Sequence, residues 1–228
     1  MRDLLAVGCR ILSDQEHDHF HLGHVSARVA AGADRFWVKA GGIGLGEVGP
    51  ASFVLLDLDG NRLAGDGSLH HEMPIHGEIY RRRPDVGAIV HTHPFYSAAL
   101  AATAADFRVV SQDSLPFAPR PAHYDSALLI VTPEQGREVA QTLGDGCLVL
   151  LRNHGIVAAG ANIEEAVYLA VAFERSVRLQ HVAAGLGEVR EIAPDEIADM
   201  TAGFAASQAD RSRMVFAYLR RRLRDAGD

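Results

Sequence analysis

His91 and His93 stand one residue apart in Val90-His91-Thr92-His93-Pro94. They end an apolar run, Val86 to Val90, that reads as a buried strand closed by Pro94. Residues i and i+2 of a strand project from one face. The spacing therefore predicts two imidazoles side by side at a strand end, which is half of a metal site. The chain offers a third ligand in His154, within Arg152-Asn153-His154-Gly155, just past a second apolar run from Cys147 to Leu151. Three neutral imidazoles with open coordination positions are the pattern of a catalytic ion rather than a structural one. Nitrogen ligands alone do not choose among zinc, manganese, iron and cobalt. The expectation is one divalent ion per subunit on His91, His93 and His154.

Glu72 precedes Met73-Pro74, at the start of a helix expected over about 73–83. A carboxylate there has two readings: a simple cap favoured by the helix dipole, or a general acid/base beside the metal. Histidines also crowd at His17, His19, His21, His24, His70, His71 and His76. Most are expected to be bystanders, and the N-terminal group a solvated stretch. Gly44-Leu45-Gly46-Glu47-Val48-Gly49 matches the dinucleotide fingerprint literally. That fingerprint needs a helix after it, whereas Pro50 and a strand follow, so nicotinamide and flavin are excluded. A glycine loop still lets backbone N–H groups approach a substrate anion. Lys39 is the sole lysine. Its place between Trp37 and the glycine loop favours contact with an anionic ligand over Schiff-base chemistry.

These groups need a scaffold, and the pattern provides one. Residues 3–13 have helical spacing, and strands follow at Val25–Val29, Phe36–Lys39 and Phe53–Leu58, the last turned back at Asp59-Gly60-Asn61. After the metal strand, Ser97 to Ala105 reads as an Ala-rich helix, 106–127 as loop with short extended pieces, and Leu128–Val131 as a strand. Thr132-Pro133-Glu134-Gln135 resembles a capping box. Asn162 opens what reads as the longest helix, with Ala166, Leu169, Ala170, Phe173 and Val177 facing the core. Interspersed strands and helices with hairpins predict an α/β sandwich whose sheet is at least partly antiparallel.

At 228 residues the chain can bury a sizeable core, and its net charge of −7 argues against a nucleic-acid partner. Two cysteines, Cys9 and Cys147, fit neither a disulfide framework nor a thiolate zinc site, and both lack an activating context. No long apolar leader or membrane-length segment is present, so a cytoplasmic setting is expected.

The chain resembles the class II aldolase/adducin family, which includes fuculose-phosphate aldolase and ribulose-phosphate epimerase. Five elements carry the resemblance, in order from about Leu4 to Leu186: Gly23-His24-Val25-Ser26-Ala27-Arg28, the 36–46 strand and glycine loop, Glu72 with His76, His91/His93, and Asn153-His154-Gly155. It implies a three-layer α/β/α sandwich around a mainly antiparallel central sheet, spanning residues 1–186; residues 187–228, more polar and helical in pattern, read as a C-terminal helical appendage. It also implies a divalent metal on the three histidines, Glu72 as catalytic acid/base, and a homotetramer with active sites between subunits. The departures are informative. Where the sugar-phosphate aldolases carry Asn, Thr and a Ser-Ser pair around the phosphate, this chain has His24, Gly41 and His70-His71; the loop glycine, Gly42, is kept. The combination looks closer to the branch that decarboxylates hydroxylated aromatic acids. The expected function is a metal-dependent lyase acting on a small, non-phosphorylated anionic substrate. Glu72 and His71 would move the proton, and His24, Lys39, Gly41, Gly42 and His70 would hold the substrate. The alternative is an aldolase or epimerase on a sugar phosphate or related hydroxy-ketone.

Overall fold

The elements run α1 (Arg2–Asp14), β1 (His24–Arg28), β2 (Arg35–Lys39), β3 (Phe53–Asp57), β4 (Arg62–Ala64), α2 (Met73–Arg82), β5 (Ala88–Thr92), α3 (Phe95–Ala101), β6 (Ala122–Tyr124), α4 (Pro133–Leu143), β7 (Leu148–Leu151), β8 (Gly155–Gly160), α5 (Ile163–Leu186) and α6 (Pro194–Asp225). The computed structural model describes residues 1–118 and 120–225, so Pro119 of the expected loop and residues 226–228 of the expected appendage lie outside the described residues.

The strands form one sheet in the order β4-β3-β2-β1-β5-β8-β7-β6. Every pairing is antiparallel except β6 with β7. Helices cover both faces, and the strands show why. In β5, Ala88 and Val90 enter one apolar cluster, with residues of α1, α3, α5 and α6, while Ile89 enters a second, with α2 and α4. In β8 the same alternation sends Ile156 and Ala158 one way and Val157 and Ala159 the other. A strand buried on both faces needs apolar residues at every position, which explains the unbroken apolar runs. The result is the expected three-layer α/β/α sandwich.

Local chemistry sets the boundaries. Thr132 and Gln135 make the reciprocal capping box of α4, and the Asn162 side chain accepts the Glu165 N–H to begin α5. The five stripe residues of α5 are buried as expected. Three expectations are corrected, and one strand has no counterpart among them. Leu128–Val131 is not a strand: it has no ladder partner, three of its four residues are exposed, and the Ile130 N–H goes to a side chain instead. The Ala-rich helix is shorter and earlier, at Phe95–Ala101, because its first N–H groups are capped from α5 by Glu174. β8 was not anticipated, since Gly155-Ile-Val-Ala-Ala-Gly160 is a short small-residue run directly after a turn. The longest helix is α6, at 32 residues, not α5, at 24. α6 packs on α5, α1 and the 3-10 helix Gln112–Phe117, and its Phe216 and Leu219 enter the first apolar cluster.

Candidate metal centre and its cavity

Strand register places the first imidazole. His91 sits in β5 with His24 of β1 opposite on one side and Val157 of β8 on the other. Its Nδ1 lies 2.9 Å from the Ile156 carbonyl. A carbonyl can only accept, so Nδ1 carries the proton and Nε2 presents a lone pair. His93 follows the strand end, its Nε2 3.0 Å from His91 Nε2. His154 comes from the β7–β8 turn, its ring centroid 4.9 Å from that of His91 and 4.7 Å from that of His93.

That turn depends on its neighbours. Asn153 has φ 56°, a left-handed conformation that Asn tolerates better than most residues. At Gly155 a Cβ would lie 2.4 Å from the Thr92 carbonyl oxygen and 2.7 Å from His93 Cδ2. Only glycine lets the start of β8 press against the end of β5, and so brings His154 to His93.

Glu72 is the N-cap residue of α2, yet its side chain makes no capping hydrogen bond. The simple-cap reading is thereby set aside. Oε2 lies 3.4 Å from His91 Nε2 and 3.5 Å from His154 Nε2. Oε1 accepts the Ile130 N–H at 3.2 Å. The possible ligand atoms of Glu72, His91, His93 and His154 all lie within 4.8 Å of one another. Ligands about 2.1 Å from a tetrahedral ion are separated by roughly 3.4 Å, so this donor set fits a single divalent cation.

Electrostatics favour the ligating forms. Burial, followed by repulsion from His91, lowers the pKa of His93 to about 2 and of His154 to about 4, so both rings are neutral near pH 7. Burial opposes the charge on Glu72. The polar surroundings of the carboxylate, the His91 and His154 rings and the Ile130 N–H, nevertheless hold its pKa down to about 2. Glu72 is a carboxylate at rest.

Beside this donor set is a cavity of about 460 Å³ lined by His21, His24, Gly41, Gly42, His70, His71, Glu72, His93 and Leu129, among others. The residues expected to hold substrate thus face it, with one exception. Lys39 does not line the cavity. It is fully buried, and its Nζ donates to the carbonyls of Ile43 (2.6 Å), Ala40 (3.1 Å) and His21 (3.4 Å). With all three protons engaged, the ammonium ties the glycine loop to the His-rich segment instead of meeting an anion. Burial lowers its pKa to about 8. In the loop, Gly41 N–H bonds the Ser68 carbonyl at 2.8 Å, and Gly42 has φ +81°. His71 is exposed at the cavity, and His70 is half-buried with an unpartnered Nε2. A larger cavity of about 910 Å³ lies against the start of α6 and shares no lining residue with this one.

Several supporting residues were missed by sequence reasoning. His19 Nδ1 lies 3.1 Å from His93 Nδ1, and buried His17 bonds Thr92 Oγ1 at 2.9 Å. The segment expected to be solvated folds back over the end of the metal strand, and this corrects the bystander reading for both residues. Glu174 of α5 takes the Tyr96 and Ser97 N–H groups, anchoring the chain just after His93. Nothing local to Glu174 signals a contact 77 residues away. Ser26, His76 and Tyr80 form a buried hydrogen-bonded line with His24. Their i, i+2 spacing on β1 and i, i+4 spacing on α2 is a signal that reading residues singly overlooks.

The family description "Class II Aldolase and Adducin N-terminal domain" matches residues 3–181. The chain belongs to this family. Among its relatives is the 3,4-dihydroxyphthalate decarboxylase of Arthrobacter keyseri, 30% identical over 214 residues, which cover 87% of this chain and 85% of that protein. The 3,4-dihydroxyphthalate decarboxylase of Terrabacter sp. is 28% identical over 233 residues, 94% of this chain and 95% of that one. Among solved structures, the L-fuculose 1-phosphate aldolase from Glaciozyma antarctica superposes with TM-score 0.82 at 23% identity, covering 96% of this chain and 88% of that one. The sandwich is therefore shared with this aldolase. No helix among the described residues is long and apolar enough to cross a membrane.

Proposed function

We propose that the chain is a divalent-metal-dependent carbon–carbon lyase that decarboxylates a non-phosphorylated, hydroxylated aromatic acid of the dihydroxyphthalate type. The observation that carries this reading is the cavity lining. Beside a Glu/His₃ donor set stand His24, Gly41, His70 and His71, where the sugar-phosphate branch has hydroxyls and an amide. The two decarboxylase relatives, matched along most of both chains, support the same branch. His91, His93 and His154 would hold the ion. When bound, the ion supplies Lewis-acid stabilisation of negative charge that develops on a substrate oxygen.

The remaining steps belong to the protein. Glu72, a carboxylate at rest, takes the proton of a substrate hydroxyl. Glu72 returns that proton to the ring carbon that bears the departing carboxylate as the ring shifts to its keto form. The carbon–carbon bond then breaks and CO2 leaves. Its electron pair restores the aromatic ring and the phenolate oxygen, which regains a proton from solvent through exposed His71. His24, His70 and the backbone N–H of Gly42 hold the second acidic group; Gly41, its own N–H committed to Ser68, shapes the loop, and Lys39 positions it. Exposed Phe95, Leu179, Val182 and Leu186 on α3 and α5 support a subunit contact in the homotetramer we assign, and we place the enzyme in the cytoplasm.

The test is product analysis. Metal-loaded protein incubated with a panel of hydroxylated aromatic acids, 3,4-dihydroxyphthalate included, is expected to release CO2. No release from any of them, together with cleavage or epimerisation of a sugar phosphate, would replace this reading with the aldolase one. The shared fold with the fuculose-phosphate aldolase is what keeps that second reading in view.

A further inference from the structure

Behind His24 a line of hydrogen bonds runs from the cavity into the interior. His24 Nδ1 lies 2.6 Å from His76 Nε2. His76 Nδ1 lies 2.6 Å from Ser26 Oγ, and Ser26 Oγ lies 2.8 Å from the Tyr80 hydroxyl. All four residues are buried. His24 also lines the cavity, its ring flanked by those of His70 and His91, each 4.7 Å away between centroids. Its Nδ1 is taken, so Nε2 is the nitrogen left to meet a ligand.

Direction along this line follows from counting protons. Burial raises the Tyr80 pKa and keeps its phenol protonated. Among the described residues, Ser26 Oγ is the one hydrogen-bond partner of that hydroxyl. If Tyr80 donates to Ser26, the Ser26 proton passes to His76 Nδ1. His76 then carries its own proton on Nε2 and donates it to His24 Nδ1, and His24 keeps a proton on Nε2. The reverse order makes Ser26 donate to Tyr80 and leaves the phenolic proton without an acceptor. A mixed order, with Tyr80 and His76 both donating to Ser26, strands the serine proton in the same way. Buried hydroxyl protons are rarely left unbonded, and one order alone bonds them all.

We infer that Tyr80, Ser26 and His76 fix His24 as an Nε2–H donor facing the cavity, making it the group that recognises an anionic oxygen of the ligand. It then serves as neither a further metal ligand nor a proton acceptor. That the oxygen belongs to an aromatic acid rests on the reading under Proposed function. His76, Ser26 and Tyr80 are positioning residues, since they act through His24. The donor set around the metal does not include His24, which agrees with a nitrogen that has no free lone pair.

The experiment uses zinc-loaded full-length protein labelled with 15N-histidine. Two-bond 1H–15N correlations report which nitrogen of each ring is protonated, and His24→Asn and His76→Asn variants assign the two rings. The expected result is a proton on Nε2 of both. A proton on Nδ1 of His24 overturns the inference, and this measurement needs no substitution in the labelled sample being read. In a second arm, phthalate binding is followed by calorimetry. Ser26→Ala removes the group that sets the direction. It is expected to mix the His24 tautomers and weaken phthalate about tenfold, with zinc content unchanged. Mixed tautomers with unchanged phthalate affinity would overturn the recognition role. Protonated Nε2 in a protein that does not bind phthalate would support the donor assignment and overturn the aromatic reading.

Discussion

Gly155→Ala tests how tightly the fold holds the candidate metal centre. The added methyl would stand 2.4 Å from the Thr92 carbonyl oxygen and 2.7 Å from His93 Cδ2. Ordinary contact begins near 3.4 Å, so about 1 Å of separation has to be found. The Thr92 oxygen cannot give way easily, because Thr92 lies in the ladder opposite Ile156, whose carbonyl also holds His91. Overpacking of this kind costs about 1–3 kcal/mol. The displaced atoms sit on the turn carrying His154 and on His93 itself, and metal sites tolerate only about 0.2 Å of misplacement. The expected outcome is a loss of 1–3 kcal/mol in urea unfolding and at least tenfold weaker metal affinity by chelator competition. Gly185→Ala is the control, since a Cβ there meets nothing within 4 Å. It is expected to leave both quantities unchanged or to raise stability slightly. Wild-type stability and affinity in Gly155→Ala would refute the packing argument.

Other outcomes follow from the same geometry. Glu72→Gln is expected to cut turnover by about 10² to 10⁴ while metal content by elemental analysis stays within a few-fold; unimpaired turnover would remove Glu72 from the chemistry. His17 and His76, both fully buried, have pKa values lowered by burial to about 3 against 6.5 in the unfolded chain. Their stabilisation is complete above pH 6.5 and is lost as pH falls towards 3, at about 1.4 kcal/mol per pH unit for each ring. Urea midpoints at pH 7.5 and 5.5 check this, and a flat profile would contradict it. Because Lys39, the sole lysine, is committed to three carbonyls, borohydride with substrate should trap no covalent adduct, as read by mass spectrometry. The double variant His70→Ser/His71→Ser should not improve the native reaction; a gain would favour a phosphate ligand.

How much of this was legible in the sequence depends on whether the signal is local. His91 and His93 announce themselves through strand period and a closing proline, and His154 through its place after a second apolar run. The capping box of α4, the Asn162 cap of α5, the β3–β4 turn and the fingerprint without a helix are likewise decided within a few residues. Leu128–Val131 failed because an apolar run is a strand only if a neighbour pairs with it; here Ile130 N–H serves Glu72 instead. β8 failed for the complementary reason, since its small residues gain strand character only between β5 and β7. Lys39 was expected to reach outward, but the carbonyls of His21 and Ile43 that enclose it are brought there by tertiary folding. The direction of the Tyr80–Ser26–His76–His24 line needs a closed account of buried protons, which no stretch of sequence contains.

The central claim is that His91, His93 and His154, with Glu72 alongside, hold one catalytic divalent ion. Elemental analysis of purified wild-type and His91→Ala protein, paired with CO2 release from hydroxylated aromatic acids, tests it most directly. The account predicts about one ion per chain in the wild type, little or none in the variant, and loss of turnover with the metal. Full turnover from metal-free protein would contradict it.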